Sequence, residues 1–173
     1  GDLLLMDFGA EYANYTADLS RTIPVSGKFT PRQKELYNAV LRVMKEVKKL
    51  YVPGKTIHDI NDKANELMEK EMIRLGLFSQ KEVMKQDKNN PLFKKYFMHG
   101  TSHFMGLDVH DVGAKHELLK PGMVLTCEPG IYIPEEKIGI RIENDILITT
   151  EEPADLMADF PIEAEEIEML MNQ

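Results

Sequence analysis

Two glutamates lie inside short apolar segments in the second half of the chain, where a charged side chain is hard to accommodate. Glu128 ends the strand-forming run 123–128, and Glu143 lies within the isoleucine-rich run 138–149. These two runs are the clearest predicted strands. An ionised carboxylate in a buried strand costs several kcal/mol unless it is paired or bound to a cation. The fold must therefore bring partners to both glutamates.

The nearest partner for Glu143 along the sequence is Arg141. Side chains alternate between the two faces of a strand, so these two residues share one face, with Ile140 and Ile142 on the other. Taken alone, this pattern is explained by an ion pair on the exposed face of a half-buried strand.

Two aspartates lie near the ends of two strands predicted in the first 25 residues. The compact apolar run Leu3–Phe8 contains Asp7 close to its end, and Asp18 begins a second strand that reaches Ile23. If these strands pair as neighbours, the two carboxylates converge. Acidic residues near strand ends more often form turns or face solvent, so this pair alone does not indicate a site.

Two amphipathic helices are predicted to follow. Thr30 and Thr56 are each followed three residues later by a side chain that completes a capping box. The first apolar stripe runs toward the Pro-Gly pair at 53–54, and the second ends at Gly76. Residues 79–95 are predicted to be an exposed connection, either a functional insert or a flexible loop.

Histidines concentrate in the glycine-broken segment 98–113, which holds three of the five histidines of the chain. A helix core does not explain histidines on such a framework. One of these histidines, His103, joins the acidic residues described above. Together they make a set of four carboxylates and one imidazole: Asp7, Asp18, His103, Glu128 and Glu143. Two divalent cations would cancel four negative charges in one cleft, and this oxygen-rich donor set favours manganese over a thiolate-seeking metal.

Composition is that of an ordinary globular protein. The 173 residues are 43% hydrophobic and 29% charged, which is the size of one domain with a sizeable core, and no apolar run is long enough to predict a membrane span. The net charge of −8 comes from eight acidic residues in the segment 151–173, so nothing indicates a nucleic-acid surface. The single Cys127 excludes a disulfide framework, and we expect a cytoplasmic protein.

The order and spacing of the five potential ligands resemble the catalytic domain of the aminopeptidase P (Xaa-Pro aminopeptidase) family. The resemblance extends to the residues that flank them, namely 15–22 around Asp18 and Glu-Pro-Gly at 128–130, and covers nearly the whole chain. It implies an α+β pita-bread fold, a curved antiparallel sheet covered by helices. It also implies that residues 1–173 are the C-terminal part of the catalytic domain, without the N-terminal domain and the first part of the catalytic domain.

The resemblance further implies how two metal ions would be held. Asp7 would bind one ion, and His103 and Glu128 the other. Asp18 and Glu143 would bridge the two. Glu128 would in addition help to deprotonate a water that bridges the ions.

Three more residues match positions outside the ligand set of the family. The resemblance implies that His99 and His110 contact the substrate carbonyl and stabilise the tetrahedral intermediate. It implies that Arg141, beside the bridging Glu143, orients the ligands.

The reaction implied by the resemblance is release of the N-terminal residue from peptides with proline in second position, by a hydroxide on two divalent ions, with manganese expected. A homo-oligomer is expected for the full-length protein. One alternative is a prolidase acting on X-Pro dipeptides, although residues 101–103 are more similar to the aminopeptidase P version. Another is a metal-free pita-bread module that binds a peptide or protein, which four mutually repelling carboxylates disfavour.

Overall fold

The structure, a computed structural model, describes residues 1–173. It begins with two antiparallel strand pairs, which consist of β1 (Leu3–Phe8), β2 (Glu11–Tyr12), β3 (Tyr15–Thr16) and β4 (Leu19–Pro24). Strand β1 pairs with β4, and the short hairpin β2–β3 connects them. The strands predicted at Leu3–Phe8 and at 18–23 are therefore confirmed as antiparallel neighbours, the second displaced by one residue.

A close approach of two backbone segments beside this hairpin requires a glycine. A Cβ atom at Gly9 would lie 1.7 Å from the carbonyl oxygen of Ala17, and the Ala17 N–H donates to the carbonyl of Ala10 at 2.9 Å. No side chain fits in that space. The glycine thus brings the chain after Asp7 against the residue that precedes Asp18.

Both long helices form where the sequence predicts them. They are α1 (Pro31–Val47) and α2 (Ile57–Arg74), with complete capping boxes at Thr30 and Thr56. The first helix ends earlier than its apolar stripe and continues as a 3₁₀ turn, Lys48–Leu50. Their apolar faces belong to one core of 30 buried residues that also includes the inner side of the later strands. None of the helices combines the length and hydropathy needed to cross a membrane.

The segment 79–95 is exposed over much of its length, as predicted, but parts of its backbone are regular. It contains a short helix, α3 (Gln80–Val83), and a 3₁₀ turn, Leu92–Lys95, which buries Phe93 in the core. The side chain of Gln86 accepts a hydrogen bond from the Leu92 N–H at 2.7 Å and donates one to α2 at 2.8 Å. This amide side chain and the buried ring of Phe93 tie the segment to the rest of the protein at two points, and its role as a functional insert or a flexible loop stays a prediction.

The second half of the chain contains a two-stranded antiparallel ribbon, which a break divides into two parts. Its strands are β5 (Val124–Cys127), β6 (Gly130–Ile133), β7 (Ile138–Arg141) and β8 (Asn144–Leu147). Strand β5 pairs with β8 and β6 with β7, with a 3₁₀ turn, Pro134–Glu136, at the tip. The first pairing ends at residues 127 and 144, and the second begins at residues 130 and 141, so both strands are interrupted opposite each other. The single strand predicted over 138–149 is therefore wrong, since residues 142 and 143 separate two strands.

The break of the ribbon contains both glutamates. Pro129 has no N–H to donate to a ladder, and the N–H groups of Glu128 and Glu143 instead donate to the carbonyls of Thr101 (2.9 Å) and Ser20 (3.1 Å). The backbone of each glutamate is thus held by a different part of the chain. This places both side chains on the side of the ribbon that faces away from the helices.

The acidic C-terminal segment packs against the first helix. It contains a short strand, β9 (Ala154–Asp155), which pairs with β8, and α4 (Ala164–Met171), which buries Ala164 and Ile167. Lys34 of α1 lies 3.0 Å from Glu165 and 2.9 Å from Glu168. Part of the acidic face is therefore matched by the protein's own lysines rather than turned entirely to solvent.

The capping boxes allow a direct test of local stability. Thr30→Ala removes the oxygen that accepts the Gln33 N–H at the start of a 17-residue helix, and it should lower the free energy of unfolding by about 1 kcal/mol. Ser79→Ala makes the same change on the four-residue helix α3 and should cost less than about 0.5 kcal/mol. Urea denaturation of both variants measures this; equal losses would contradict it.

Candidate metal centre

A cleft of about 460 Å³ opens where the first strand pair, the histidine segment and the broken ribbon meet, and its lining contains no hydrophobic residue. All eight residues singled out from the sequence line it, namely Asp7, Asp18, His99, His103, His110, Glu128, Arg141 and Glu143. Gly100, Ser102 and Lys115 complete the lining. Side chains separated by more than 130 positions in the sequence thus converge on one space.

The tightest group in the cleft consists of Asp18, His103 and Glu143, whose potential ligand atoms all lie within 4.8 Å of one another. The Nδ1 of His103 lies 3.0 Å from the carbonyl oxygen of Phe104 and must donate its proton there. The lone pair of neutral His103 is then on Nε2, which faces Asp18 Oδ2 at 3.6 Å. This backbone contact selects the tautomer that a metal ligand needs.

Two further carboxylates flank this group. Glu128 Oε1 lies 3.8 Å from His103 Nε2 and accepts a hydrogen bond from the Thr126 hydroxyl at 3.4 Å. Asp7 is more exposed, and its Oδ2 accepts a hydrogen bond from Arg141 Nη2 at 2.6 Å. All five potential ligands therefore border the same space, although the carboxylate of Asp7 is turned toward the guanidinium.

Arg141 and Glu143 are not an exposed ion pair. The Glu143 side chain is only 3% exposed, and its Oε2 lies 3.8 Å from Arg141 Nε, beyond a direct hydrogen bond. The interpretation of these residues as a surface pair on a half-buried strand is therefore wrong, because Glu143 follows the end of β7 and is directed into the cleft.

Burial and mutual repulsion disfavour the charged form of the carboxylates. Burial raises the pKa of Glu128 to about 7, with Asp18 adding to the effect. Burial, with Glu128 and Asp18 nearby, raises the pKa of Glu143 to about 8. The pKa of Asp18 is raised by burial and by the neighbouring Asp7. Divalent cations in the cleft would offset the free-energy cost of charging these buried carboxylates. The number and the chemistry of the donor groups therefore fit such ions.

The other two histidines lie beside the five potential ligands. His110 stacks on His103 with ring centroids 4.0 Å apart. His99 donates through Nδ1 to the carbonyl of Gly100 at 2.7 Å, so its Nε2, 2.8 Å from the Tyr132 hydroxyl, accepts from that group. Burial lowers the pKa of His99, which favours the neutral ring.

Three polar residues around the cleft were missed from the sequence. The Ser20 hydroxyl donates to Glu143 Oε2 at 2.6 Å, Tyr132 contacts His99, and Asp145 Oδ2 accepts the backbone N–H of Asp18 at 3.1 Å. Burial raises the pKa of Asp145 to about 7. Ser20 and Asp145 each lie two residues from a proposed ligand, so period-two alternation indicates that each shares a strand face with that ligand, but it does not indicate which distant residue each one contacts.

A polar cleft of buried carboxylates with a correctly oriented imidazole, on an α+β frame, is characteristic of a metal-dependent enzyme. Residues 1–150 match metallopeptidase family M24, and the chain belongs to that family. An Xaa-Pro aminopeptidase of Escherichia coli (strain K12) is 43% identical over an alignment of 185 positions, gaps included. The alignment covers 99% of this chain and 41% of that protein. Human Xaa-Pro aminopeptidase 3 is 38% identical over an alignment of 187 positions, gaps included, which covers 100% of this chain and 36% of that protein.

Solved structures show the same similarity. Zinc-substituted E. coli aminopeptidase P in complex with product superimposes with a TM-score of 0.89 at 42% identity, covering 99% of this chain and 41% of that one. The E. coli enzyme with the inhibitor Pro-Leu gives the same TM-score and identity, with 42% of that chain covered. The pita-bread fold predicted from the sequence is thus confirmed. The chain spans well under half the length of these relatives.

The raised pKa values predict how the metal-free chain responds to pH. The folded state keeps protons on Glu128 and Glu143 up to about pH 7 and 8, whereas their ordinary pKa is 4.5. The stability that these protons contribute is present below pH 4.5 and is lost as the pH rises through 7 to 8. In chelator, the melting temperature should therefore fall on the order of 5 °C between about pH 5.5 and 8.5.

The matched variant is Glu128→Gln with Glu143→Gln, which cannot lose these protons. Its melting temperature in chelator should depend less on pH over the same interval. A wild-type melting temperature that stays constant or rises toward pH 8.5 would contradict the assignment of buried, proton-retaining carboxylates.

Proposed function

We propose that this chain carries the metal centre of a peptidase that releases the N-terminal residue from peptides with proline in second position. The observation that carries the proposal is the convergence of all five potential ligands on one cleft. The similarity of this chain to Xaa-Pro aminopeptidases supports the proposed substrate class. Because the chain covers only part of those proteins, the proposal concerns the whole protein that contains it.

The proposed centre would hold two divalent ions. Asp7 would hold one, His103 and Glu128 would hold the other, and Asp18 and Glu143 would be shared by both. When bound, the pair of ions supplies a water that ionises near neutral pH and a positive charge that polarises a carbonyl. The tight group of Asp18, His103 and Glu143 supports the part of this assignment in which Asp18 and Glu143 share an ion with His103.

Glu128 is proposed to accept the proton of the attacking water. Its Oε1 is held by the Thr126 hydroxyl, and Oε2 lies 3.9 Å from His99 Nδ1.

His99 and His110 are proposed to contact the substrate carbonyl and the oxyanion that develops on it. Both line the cleft without belonging to the tight ligand group. The contact of Nε2 with Tyr132 orients the His99 ring, and stacking on His103 orients His110. Arg141, which bonds Asp7 and Ser20, is proposed to orient the ligands around it.

A prolidase acting on X-Pro dipeptides would use the same centre, and peptide length distinguishes the two. The metal-free binding module is disfavoured, because buried carboxylates with raised pKa values are costly to keep together without cations. Manganese as the metal, a cytoplasmic location and a homo-oligomer stay predictions.

The first test is metal content. After dialysis against manganese and removal of free ions, elemental analysis of the wild-type chain should approach two equivalents. Asp18→Ala with Glu143→Ala removes both proposed bridges and should abolish tight binding of both ions. The matched control, Glu151→Ala with Glu152→Ala, removes two exposed carboxylates that do not line the cleft and should bind like the wild type. Two tight equivalents in the Asp18/Glu143 variant would contradict the bridging roles.

The second test is peptide hydrolysis with manganese. A tripeptide with proline in second position should be cleaved faster than the X-Pro dipeptide, and the reverse order would favour a prolidase. The whole protein that contains this chain is assayed, and metal-loaded protein that cleaves neither peptide would contradict the proposed activity.

His110 tests the division between ligands and substrate-contacting residues. His110→Ala should lower turnover of the tripeptide by on the order of 10² to 10³ and leave the metal content unchanged, because it removes an interaction made in the transition state. His58→Ala, on the exposed side of α2, is the control and should retain turnover. Metal loss in the His110 variant would show instead that His110 is a ligand.

A further inference from the structure

One hydroxyl links the only arginine of the cleft to a carboxylate that the arginine does not reach. Arg141 Nε donates to Ser20 Oγ at 2.8 Å, and Ser20 Oγ lies 2.6 Å from Glu143 Oε2. The direct distance from Arg141 Nε to Glu143 Oε2 is 3.8 Å, too long for a hydrogen bond. Ser20 is fully buried, so water does not replace it.

The direction of these hydrogen bonds follows from the groups involved. A guanidinium N–H is only a donor, so Ser20 Oγ accepts from Arg141. The single hydroxyl proton is then available for Glu143 Oε2, and a carboxylate accepts it. One lone pair of Oε2 is thus occupied by the serine, which limits the orientations that the carboxylate can adopt.

The same residue also holds the backbone of Glu143. The N–H of Glu143 donates to the carbonyl of Ser20 at 3.1 Å, at the level where the ribbon pairing is interrupted. The carbonyl and the hydroxyl of one residue therefore hold the peptide and the carboxylate of the same glutamate. No other residue forms hydrogen bonds with both the backbone N–H and the carboxylate of Glu143.

The neighbouring threonine on the same face of β4 provides a comparison. Thr22 is also fully buried, and its hydroxyl accepts from the Arg141 N–H at 3.1 Å and donates to the Arg141 carbonyl at 3.0 Å. It makes as many hydrogen bonds as the Ser20 hydroxyl, but all of them are to backbone. The two hydroxyls thus differ in whether they touch a carboxylate of the cleft.

We propose that Ser20 is a positioning residue for the metal centre, which sets the orientation of the Glu143 carboxylate and couples it to Arg141. The inference rests on the proposed metal site and adds to it a residue outside the ligand set. Its hydroxyl leaves Oε1 and the remaining lone pair of Oε2 free for ions in the cleft. Loss of the hydroxyl leaves the carboxylate free to rotate and Arg141 Nε without its acceptor.

The experiment is manganese affinity, measured by competition with a chromophoric chelator at about pH 7.5, with urea unfolding of the same samples in chelator. Ser20→Ala should weaken manganese binding by about 10- to 100-fold, the range for partners that orient metal ligands. Thr22→Val should lower stability to a similar extent but keep affinity within about threefold of wild type. Ser20→Thr restores the hydroxyl on a strand that accepts β-branched residues and should recover affinity to within about threefold.

Wild-type affinity in Ser20→Ala, or equal weakening in Thr22→Val, would overturn the proposal while leaving the metal site intact. A wild-type chain that binds no manganese would overturn the metal site and the inference together. If Ser20→Ala does not fold, Ser20→Cys takes its place. Its thiol is a weak donor, so weakened manganese binding at near-normal stability is expected, and unchanged binding would overturn the proposal.

Discussion

The cost of burying several carboxyl groups in one cleft is the constraint on which the rest of this structure depends. Burial, with a smaller contribution from neighbouring carboxylates, raises the pKa of Glu128 to about 7 and the pKa of Glu143 to about 8 when no cation is present. A fold that gathers them with two aspartates must offset this cost. Hydrogen bonds from Ser20, Thr126 and Arg141 hold the carboxyl groups in place, and divalent cations would supply the counter-charge.

The break in the ribbon is how the backbone meets this constraint. The register on either side of the break sets Glu128 directly opposite Glu143, so both side chains share one face of the ribbon, and the interruption at Pro129 and at residues 142–143 frees the backbone N–H groups of the two glutamates. The freed N–H groups are taken up by the carbonyls of Thr101 and Ser20. On the other side of the ribbon, the helices and the apolar side chains form the core that fixes its position.

Neutral polar contacts orient both histidines and Glu143 in the cleft, in addition to the charged contact between Arg141 and Asp7. His103 and His99 each donate through Nδ1 to a backbone carbonyl, which selects their tautomers. The Ser20 hydroxyl links Arg141 to Glu143, and the Tyr132 hydroxyl donates to His99. Such neutral hydroxyls would orient the proposed ligands and leave the ligand charges for metal ions.

The sequence by itself determined the two long helices, because their caps and apolar stripes are local, and it identified the eight residues that line the cleft through their motifs. It did not determine the break in the second ribbon strand, since the isoleucine pattern of 138–149 fits a continuous strand equally well. Only the tertiary structure assigned Ser20 and Asp145 to the site, because each acts on a residue more than 120 positions away. Such pairings depend on which strands become neighbours, and no local pattern of side chains records that choice.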